Sequence, residues 1–231
     1  MNARALLCAL CAGAAIVMLG GCSPKLDEES IAKDEKRGIK FSKDKRTLEK
    51  YNALRLIDGE HSYTIPNGVT VIGKAAFENG RNLRHVTIPK GVKKIEWAAF
   101  RGCKLEELTL PAGVSITGSV AFCDCPLKSV TIEDGVKDLG DFTFADCDDL
   151  KSVTIPGSVK VIKEQAFYSC SELTSVTIED GVTEIGRGAF SSCKKLTDVK
   201  IPASVKKISP DAFSGCPCNG WVRQNYAQII E

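Results

Sequence analysis

The stretch LTSVTIEDGVTEIGRGAFSSC, residues 173–193, is one unit of a repeat that decides the fold of this chain. Its consensus is L-x-x-V-x-I-P/E-x-x-V-x-x-I-x-x-x-A-F-x-x-C. Other copies occupy residues 83–100, 105–122, 127–144, 150–167 and 196–213, after a partial copy at 63–77. The consensus phenylalanine recurs every 22 or 23 residues, at Phe77, Phe100, Phe122, Phe144, Phe167, Phe190 and Phe213. A period this regular indicates one structural unit stacked many times into a solenoid.

Each unit predicts a short strand followed by a turn. Val-Thr-Ile alternates apolar and polar residues, which is typical of a strand with one buried face. Pro or Glu, followed by Gly or Ser, ends the strand, and a proline there has no N–H to donate to a ladder. The second apolar pair and the Ala-Phe pair predict the opposite wall of the coil. Stacked units therefore share one core, with the phenylalanine column inside it.

Six of the eleven cysteines form a second column, three residues after a consensus phenylalanine, at Cys103, Cys125, Cys147, Cys170, Cys193 and Cys216. Disulfides are one interpretation, because stacked neighbours about 5 Å apart satisfy disulfide geometry. Metal binding is another, but the spacing is not that of a zinc site and no histidine accompanies it. We favour small buried thiols that fill a tight corner. Cys123 and Cys218 lie outside the column and are predicted to be exposed.

The L-x-x-V-x-I-P strands, the V-x-x-I segment and the A-F-x-x-C close resemble the BspA-type leucine-rich repeat. The resemblance implies a leucine-rich repeat solenoid with a short parallel β-sheet on one face. It also implies an N-terminal hairpin cap at 41–62, a repeat array at 63–216 and a C-terminal cap with a short helix at 217–231. Two units lack a residue after the cysteine column, and Glu133 and Glu179 replace the usual proline.

The N-terminus has the layout of a signal peptide, because a basic start and an apolar run precede small residues. Leu19-Gly20-Gly21-Cys22 resembles a bacterial lipobox, which implies cleavage after residue 21 and lipid attachment to Cys22. An uncleaved transmembrane anchor is one alternative, since the uncharged stretch from Ala5 to Pro24 is about long enough to span a bilayer, and a plain secreted form is another. Residues 22–40 are charged and nearly free of large apolar residues, which predicts a lipidated flexible tether.

Composition argues against nucleic-acid binding and catalysis. The net charge is only +2, and removal of residues 1–21 takes away one arginine, whereas a nucleic-acid binder needs a basic stripe. The chain has two histidines, His61 and His85, and neither lies in a nucleophile–base arrangement. The glycines belong to the repeat turns and not to a phosphate loop. We therefore predict that the protein is not an enzyme and needs no cofactor or metal.

The outward positions of the strands are the remaining candidate site. The resemblance implies that they point to the concave side of the solenoid, and one column of them is almost entirely threonine. The candidate ligand-binding residues are Arg84, His85, Thr87, Glu106, Glu107, Thr109, Thr131, Thr154 and Thr177. Arg84, His85, Glu106 and Glu107 form the most charged corner. Strand propensity and solubility also explain the threonines, so both interpretations stay open.

By resemblance, we expect a lipid-anchored surface protein that binds or adheres to a protein or glycan ligand, such as host matrix. Its partners would be the membrane, through the lipid on Cys22, and that ligand, with no nucleic acid, and the chain would be a monomer. We expect it at the outer membrane or cell surface rather than at the inner membrane. The alternative is a structural envelope lipoprotein that faces the periplasm and has no host ligand.

Overall fold

Each repeat forms one coil of a β-solenoid in the computed structural model, which describes residues 24–51 and 61–231. Strands from successive coils lie side by side and are parallel. The expected leucine-rich repeat solenoid, with a parallel sheet on one face, is therefore confirmed.

The strands on one side of the solenoid take three or four residues from each coil, and we call their outer surface the strand face. Its strands are β3 (Ser62–Thr64), β5 (His85–Thr87), β7 (Glu107–Leu110), β9 (Ser129–Ile132), β10 (Ser152–Ile155), β12 (Ser175–Ile178) and β14 (Asp198–Lys200). Valine or leucine side chains point inward and are buried, whereas the flanking residues point outward, as period-two alternation requires.

A second wall consists of two-residue strands that carry one buried isoleucine each. They are β4 (Val71–Ile72), β6 (Lys94–Ile95), β8 (Ser115–Ile116), β11 (Val161–Ile162), β13 (Glu184–Ile185) and β15 (Lys207–Ile208). These strands also pair in parallel, for example Ile72 with Ile95.

The phenylalanine column is a continuous stack inside the solenoid. Adjacent rings are 4.5–5.6 Å apart between centroids and lie within 19° of parallel. Tyr51 and Tyr63 extend this stack beyond Phe77, with ring centroids 4.7 and 5.7 Å from it. A backbone ladder runs beside the rings, since each of the first six phenylalanine N–H groups donates to a carbonyl of the next coil. The predicted aromatic column is therefore confirmed as the centre of the core.

Strand pairing is interrupted where the repeat changes length. The segment from the cysteine column to the next leucine is short in the units that lead into β7 and β9 and one residue longer in those that lead into β10 and β12. Strands after equal segments pair over four positions, as β7 does with β9 and β10 with β12. By contrast, β5 and β7 share only the pair His85–Glu107. Among the described residues no ladder pair joins β9 to β10, because the coils are out of alignment there.

The junction between the Phe144 coil and the Phe167 coil is therefore held mainly by the backbone hydrogen bonds that lie beside the stacked rings. No pairing in the described structure joins residues 137–139 to β11 on the second wall either. The Phe142 and Phe144 N–H groups donate to the Glu164 and Ala166 carbonyl oxygens at 2.9 and 2.8 Å. The Lys163–Asp138 ion pair, 2.8 Å from Nζ to Oδ2, adds one surface link.

The N-terminal end of the solenoid is covered by a hairpin and a helix. Strands β1 (Lys40–Phe41) and β2 (Thr47–Lys50) pair antiparallel, and β2 then pairs parallel with β4. This observation confirms the hairpin within residues 40–50, and residues 52–60 of the predicted cap lie outside the described residues.

The flexible tether predicted for residues 22–40 is wrong over its described part. Helix α1 (Glu28–Lys36) forms there, and the Asp27 side chain caps it by accepting a hydrogen bond from the Ser30 N–H at 3.1 Å. Ile31 is buried, and the Asp34 carboxylate accepts a 2.6 Å hydrogen bond from the Tyr63 hydroxyl. The prediction failed because the charged composition gives no sign of the two contacts that hold the helix on the array, the burial of Ile31 and the hydrogen bond from Tyr63 to Asp34.

The C-terminal end is closed by helix α2 (Asn219–Asn225) and a 3₁₀ turn (Ala227–Ile229), after which the Glu231 N–H donates to the Ile208 carbonyl. The predicted helical cap is confirmed. Cys218, predicted to be exposed, is buried at the start of α2, where its N–H donates to the Leu196 carbonyl. Cys123 is half-buried. The Cys218 prediction was wrong because the cap folds back over the last coil.

Candidate ligand-binding face

The outward columns predicted from the sequence lie on the strand face. The threonine side chains there are exposed in five of the six coils that carry one, and Thr177 is half-buried. Their neighbours in the adjacent column are exposed from His85 to Ser152. The face is thus hydroxyl-rich and polar along its length, and both Trp97 and Trp221, the exposed large hydrophobic residues of the described chain, lie outside the strands.

The charged corner is an ion-pair network across three coils. The Glu106 carboxylate accepts hydrogen bonds from the Arg84 guanidinium at 2.8 Å and from the Lys128 ammonium at 2.7 Å. The hydrogen bond from Lys128, and then that from Arg84, lower the pKa of Glu106 below its usual range. The same contact raises the pKa of Lys128. At neutral pH the three groups are therefore charged and hold one another in place.

A groove of about 310 Å³ opens between β5 and β7, where only one pair of residues is in register. His85, Thr87, Glu107 and Thr109 line it, so the structure brings four of the predicted residues together. Lys90, Pro111 and Glu133 close its end beyond the strands.

A second groove of about 270 Å³ lies between β9 and β10, where the ladder is absent in the described structure. Thr131 and Thr154 line it with Ser129 and Ser152. Thr177 lies on β12, one coil further along, and lines neither groove. The predicted residues therefore form an extended surface with two depressions rather than one pocket, and both depressions coincide with a change in repeat length.

Sequence reasoning missed most of a third depression, of about 320 Å³, which we call the basic pocket. Its charged lining residues are Arg81, Arg84, Lys104, Glu106, Lys128 and Asp149. Arg81 and Lys104 lie in the segments before the strands, outside the outward columns, and only folding places them beside Arg84 and Lys128. The signal available in the sequence was the recurrence of basic residues around the leucine that precedes the strand, in three successive units.

The cysteine column is structural. All six thiols are buried and free, and each donates to the phenylalanine carbonyl of the preceding coil at 2.9–3.4 Å. Burial raises the pKa of Cys103 to about 12, so the thiol is protonated at neutral pH. A protonated, buried thiol is a poor nucleophile and a poor metal ligand. The buried-thiol interpretation is thus confirmed by burial and by hydrogen bonding.

The described residues contain no group of three or more His, Cys, Asp or Glu side chains placed to hold a metal ion. His61 contacts the Asn82 carbonyl oxygen through Nδ1 at 3.1 Å, and His85 lies in the first groove. Within residues 24–51 and 61–231, no helix is long and apolar enough to cross a membrane. Cys22 and the predicted signal peptide lie outside the described residues.

The parallel strand face and the inner stack of aromatic rings define a solenoid of the leucine-rich repeat class. The sequence profile of the BspA type leucine rich repeat region matches residues 59–125 and 98–219, with six copies. The chain belongs to this family. Members are generally bacterial surface proteins, and repeat modules of this type are typically binding modules without catalytic activity. No curated protein sequence matched the chain.

Solved structures show the same architecture. A leucine-rich repeat protein from Eubacterium ventriosum is 30% identical, with a TM-score of 0.73 over 78% of this chain and 48% of that protein. The chain thus spans about half the length of that relative. The leucine-rich repeat protein of T. pallidum is 21% identical, with a TM-score of 0.53 over 84% of this chain and 96% of that one. This second likeness concerns the fold alone.

Proposed function

We propose that this protein is a lipid-anchored surface protein that binds a macromolecular ligand through the strand face. The observation that carries the proposal is the pair of grooves that open where the repeat changes length. A solenoid used only as a spacer has no need of such irregularities, whereas an extended polar face with depressions suits an extended ligand. The residues that would make the contact are His85, Thr87, Glu107 and Thr109 in the first groove and Thr131 and Thr154 in the second.

The anchor in this proposal is a lipid on Cys22, after cleavage of residues 1–21. Triacylation would hold the protein firmly, because each buried CH₂ group contributes about 0.8 kcal/mol to membrane binding. Metabolic labelling of cells with an alkyne fatty acid tests it. The wild-type protein should carry the label and Cys22→Ala should not. Equal labelling of both proteins would remove this part of the proposal.

The binding role is tested with a screen of immobilised matrix proteins and glycans against the full chain in detergent. Thr131→Gln combined with Thr154→Gln should weaken binding that uses the second groove, because it fills that groove with longer uncharged side chains. Thr117→Gln with Thr183→Gln is the matched control, since both threonines are exposed and lie outside the strand face. Equal loss in both double variants would argue against recognition by the strand face.

A structural role in the periplasm is the second candidate. The composition of the strand face favours this role, because interface hot spots are enriched in Trp, Tyr and Arg, and few of these residues lie on this face. Protease treatment of intact cells separates the two candidates. Cleavage of the protein on intact cells supports surface exposure and ligand binding. Complete protection until the outer membrane is opened supports the periplasmic role.

A further inference from the structure

We propose that the basic pocket binds an anionic polysaccharide, one that carries carboxylate or sulfate groups along a linear chain. This inference rests on the proposed binding function and names the ligand class for one end of the strand face. Four cations, Arg81, Arg84, Lys104 and Lys128, surround a depression of about 320 Å³, with only Glu106 and Asp149 as counter-charges. The lining therefore carries two net positive charges, although the whole chain is nearly neutral.

Two of the four cations are available to a ligand without any rearrangement. Glu106 engages both Arg84 and Lys128, whereas no ion pair involves Arg81 or Lys104 among the described residues. Arg84 and Lys128 are themselves 54% and 63% exposed, so their outer faces stay open. Glu106 thus fixes two cations at the rim, and a ligand anion would meet all four.

The arrangement suits a linear polyanion because the charges follow the solenoid axis. Arg84, Glu106, Lys128 and Lys151 occupy the same position, one residue after the leucine that precedes each strand, in four successive coils. Arg84 and Lys128 are two strands apart, or about 10 Å at the backbone. A chain with regularly spaced anionic groups can contact both while it lies across the strands.

The surroundings favour a polysaccharide over an acidic peptide. Pro126 is the one apolar residue that lines the pocket in the described structure, so it offers no apolar anchor of the kind that protein interfaces use. The strands β5 and β7 beside it lie within a sheet, and β10 packs against the outer side of β9, the last strand of that sheet, so no edge is open to an added peptide strand. The hydroxyl columns next to the pocket, such as Ser129 and Thr131, match the hydroxyl groups of a sugar chain.

The test measures binding of the full chain, in detergent, to heparin (sulfate and carboxylate), hyaluronan (carboxylate only), neutral dextran and poly-glutamate. We expect binding to heparin or hyaluronan that weakens with salt, and none to dextran. The preferred polymer identifies which anionic group is recognised. Stronger binding to poly-glutamate than to both anionic polysaccharides would overturn the proposal in favour of an acidic peptide. If neither heparin nor hyaluronan binds, the proposal is also overturned.

Variants locate the site. Arg81→Ala with Lys104→Ala should lower the affinity about tenfold, because two exposed charge contacts are lost. Lys137→Ala with Lys194→Ala removes the same charge from exposed positions outside the pocket and should leave the affinity unchanged. Glu106→Gln should raise the affinity about threefold, since it releases Arg84 and Lys128. Equal losses in the two double variants would mean non-specific attraction and would overturn the pocket.

The outcomes keep this inference separate from the proposed function. Binding of a matrix protein or neutral glycan through Thr131 and Thr154, together with no binding of heparin or hyaluronan, would sink the inference and leave the function standing. Loss of heparin binding in the Arg81–Lys104 variant alone supports the inference, whatever the screen of other ligands shows.

Discussion

Replacement of Phe144 by alanine should separate the solenoid into two halves that unfold independently. Phe144 is fully buried and stacks on Phe122 and Phe167, with ring centroids 5.6 and 5.2 Å away. Truncation of a buried phenylalanine costs about 3–5 kcal/mol. Each lost aromatic pair accounts for about 0.5–1.5 kcal/mol of such a cost. A typical domain stability is about 5–15 kcal/mol, so the variant should still fold.

Phe144 differs from the other phenylalanines because of the junction beside it. No strand ladder in the described structure joins its coil to the next one, so the ring stack and the adjacent backbone bonds carry much of the coupling. Stability in a solenoid is the sum of unit and interface contributions, and a weak interface lets the two sides unfold separately. Phe190→Ala is the matched control, because Phe190 is equally buried and has two stacking partners, and its coil pairs with both neighbours.

Urea unfolding followed by tryptophan fluorescence measures the effect. Trp97 reports on the N-terminal half in a Trp221→Phe background, and Trp221 reports on the C-terminal half in a Trp97→Phe background. If the two halves lose about 1 kcal/mol of coupling free energy, and the free energy of unfolding falls by about 2 kcal/mol per molar urea, their midpoints separate by about 0.5 M. We expect this separation for Phe144→Ala and coincident midpoints for Phe190→Ala. Coincident midpoints in both variants would refute the weak-junction reasoning.

Three further predictions concern local contacts. Gly157→Ala should destabilise the fold by about 1–3 kcal/mol, because the added Cβ would lie 1.8 Å from the Asp180 carbonyl oxygen. Gly220→Ala in α2 should stabilise it by up to about 1 kcal/mol, because the added Cβ meets nothing within 4 Å. The urea midpoints of the two variants and of the wild-type protein measure both effects. Burial raises the pKa of Asp34, against the hydrogen bond from Tyr63, so its protonated form favours folding. The stability that the protonated Asp34 contributes is fully present below about pH 4 and is lost as the pH rises through the raised pKa. In urea titrations from pH 4 to 8, Asp34→Asn should therefore abolish this loss of stability. Thiol titration at pH 8 should find the cysteine column unreactive until urea is added, and rapid labelling of Cys103 in the native protein would contradict its burial.

The sequence by itself determined the repeat, the inside and outside of each strand, and the residues that share a column. These features are local or periodic: Val176 and Thr177 differ in polarity within one strand, and Phe190 recurs at a constant interval. Because one period places equivalent residues on neighbouring strands, the sequence also indicated that Arg84 and Glu106 would lie together. The buried character of the cysteine column followed from the same spacing.

Only the tertiary structure decided where pairing fails and which loop residues meet. The interruption between β9 and β10 depends on the alignment of two coils, and one extra residue at Asp148–Asp149 shifts that alignment. Arg81 and Lys104 face the basic pocket from segments that have no period-two alternation to assign their direction. Helix α1 is held by Ile31 and Asp34 against the end of the array, and that site exists only once the coils have stacked. Hydrogen-bond alignment and end packing are properties of the assembled solenoid, and no single repeat contains them.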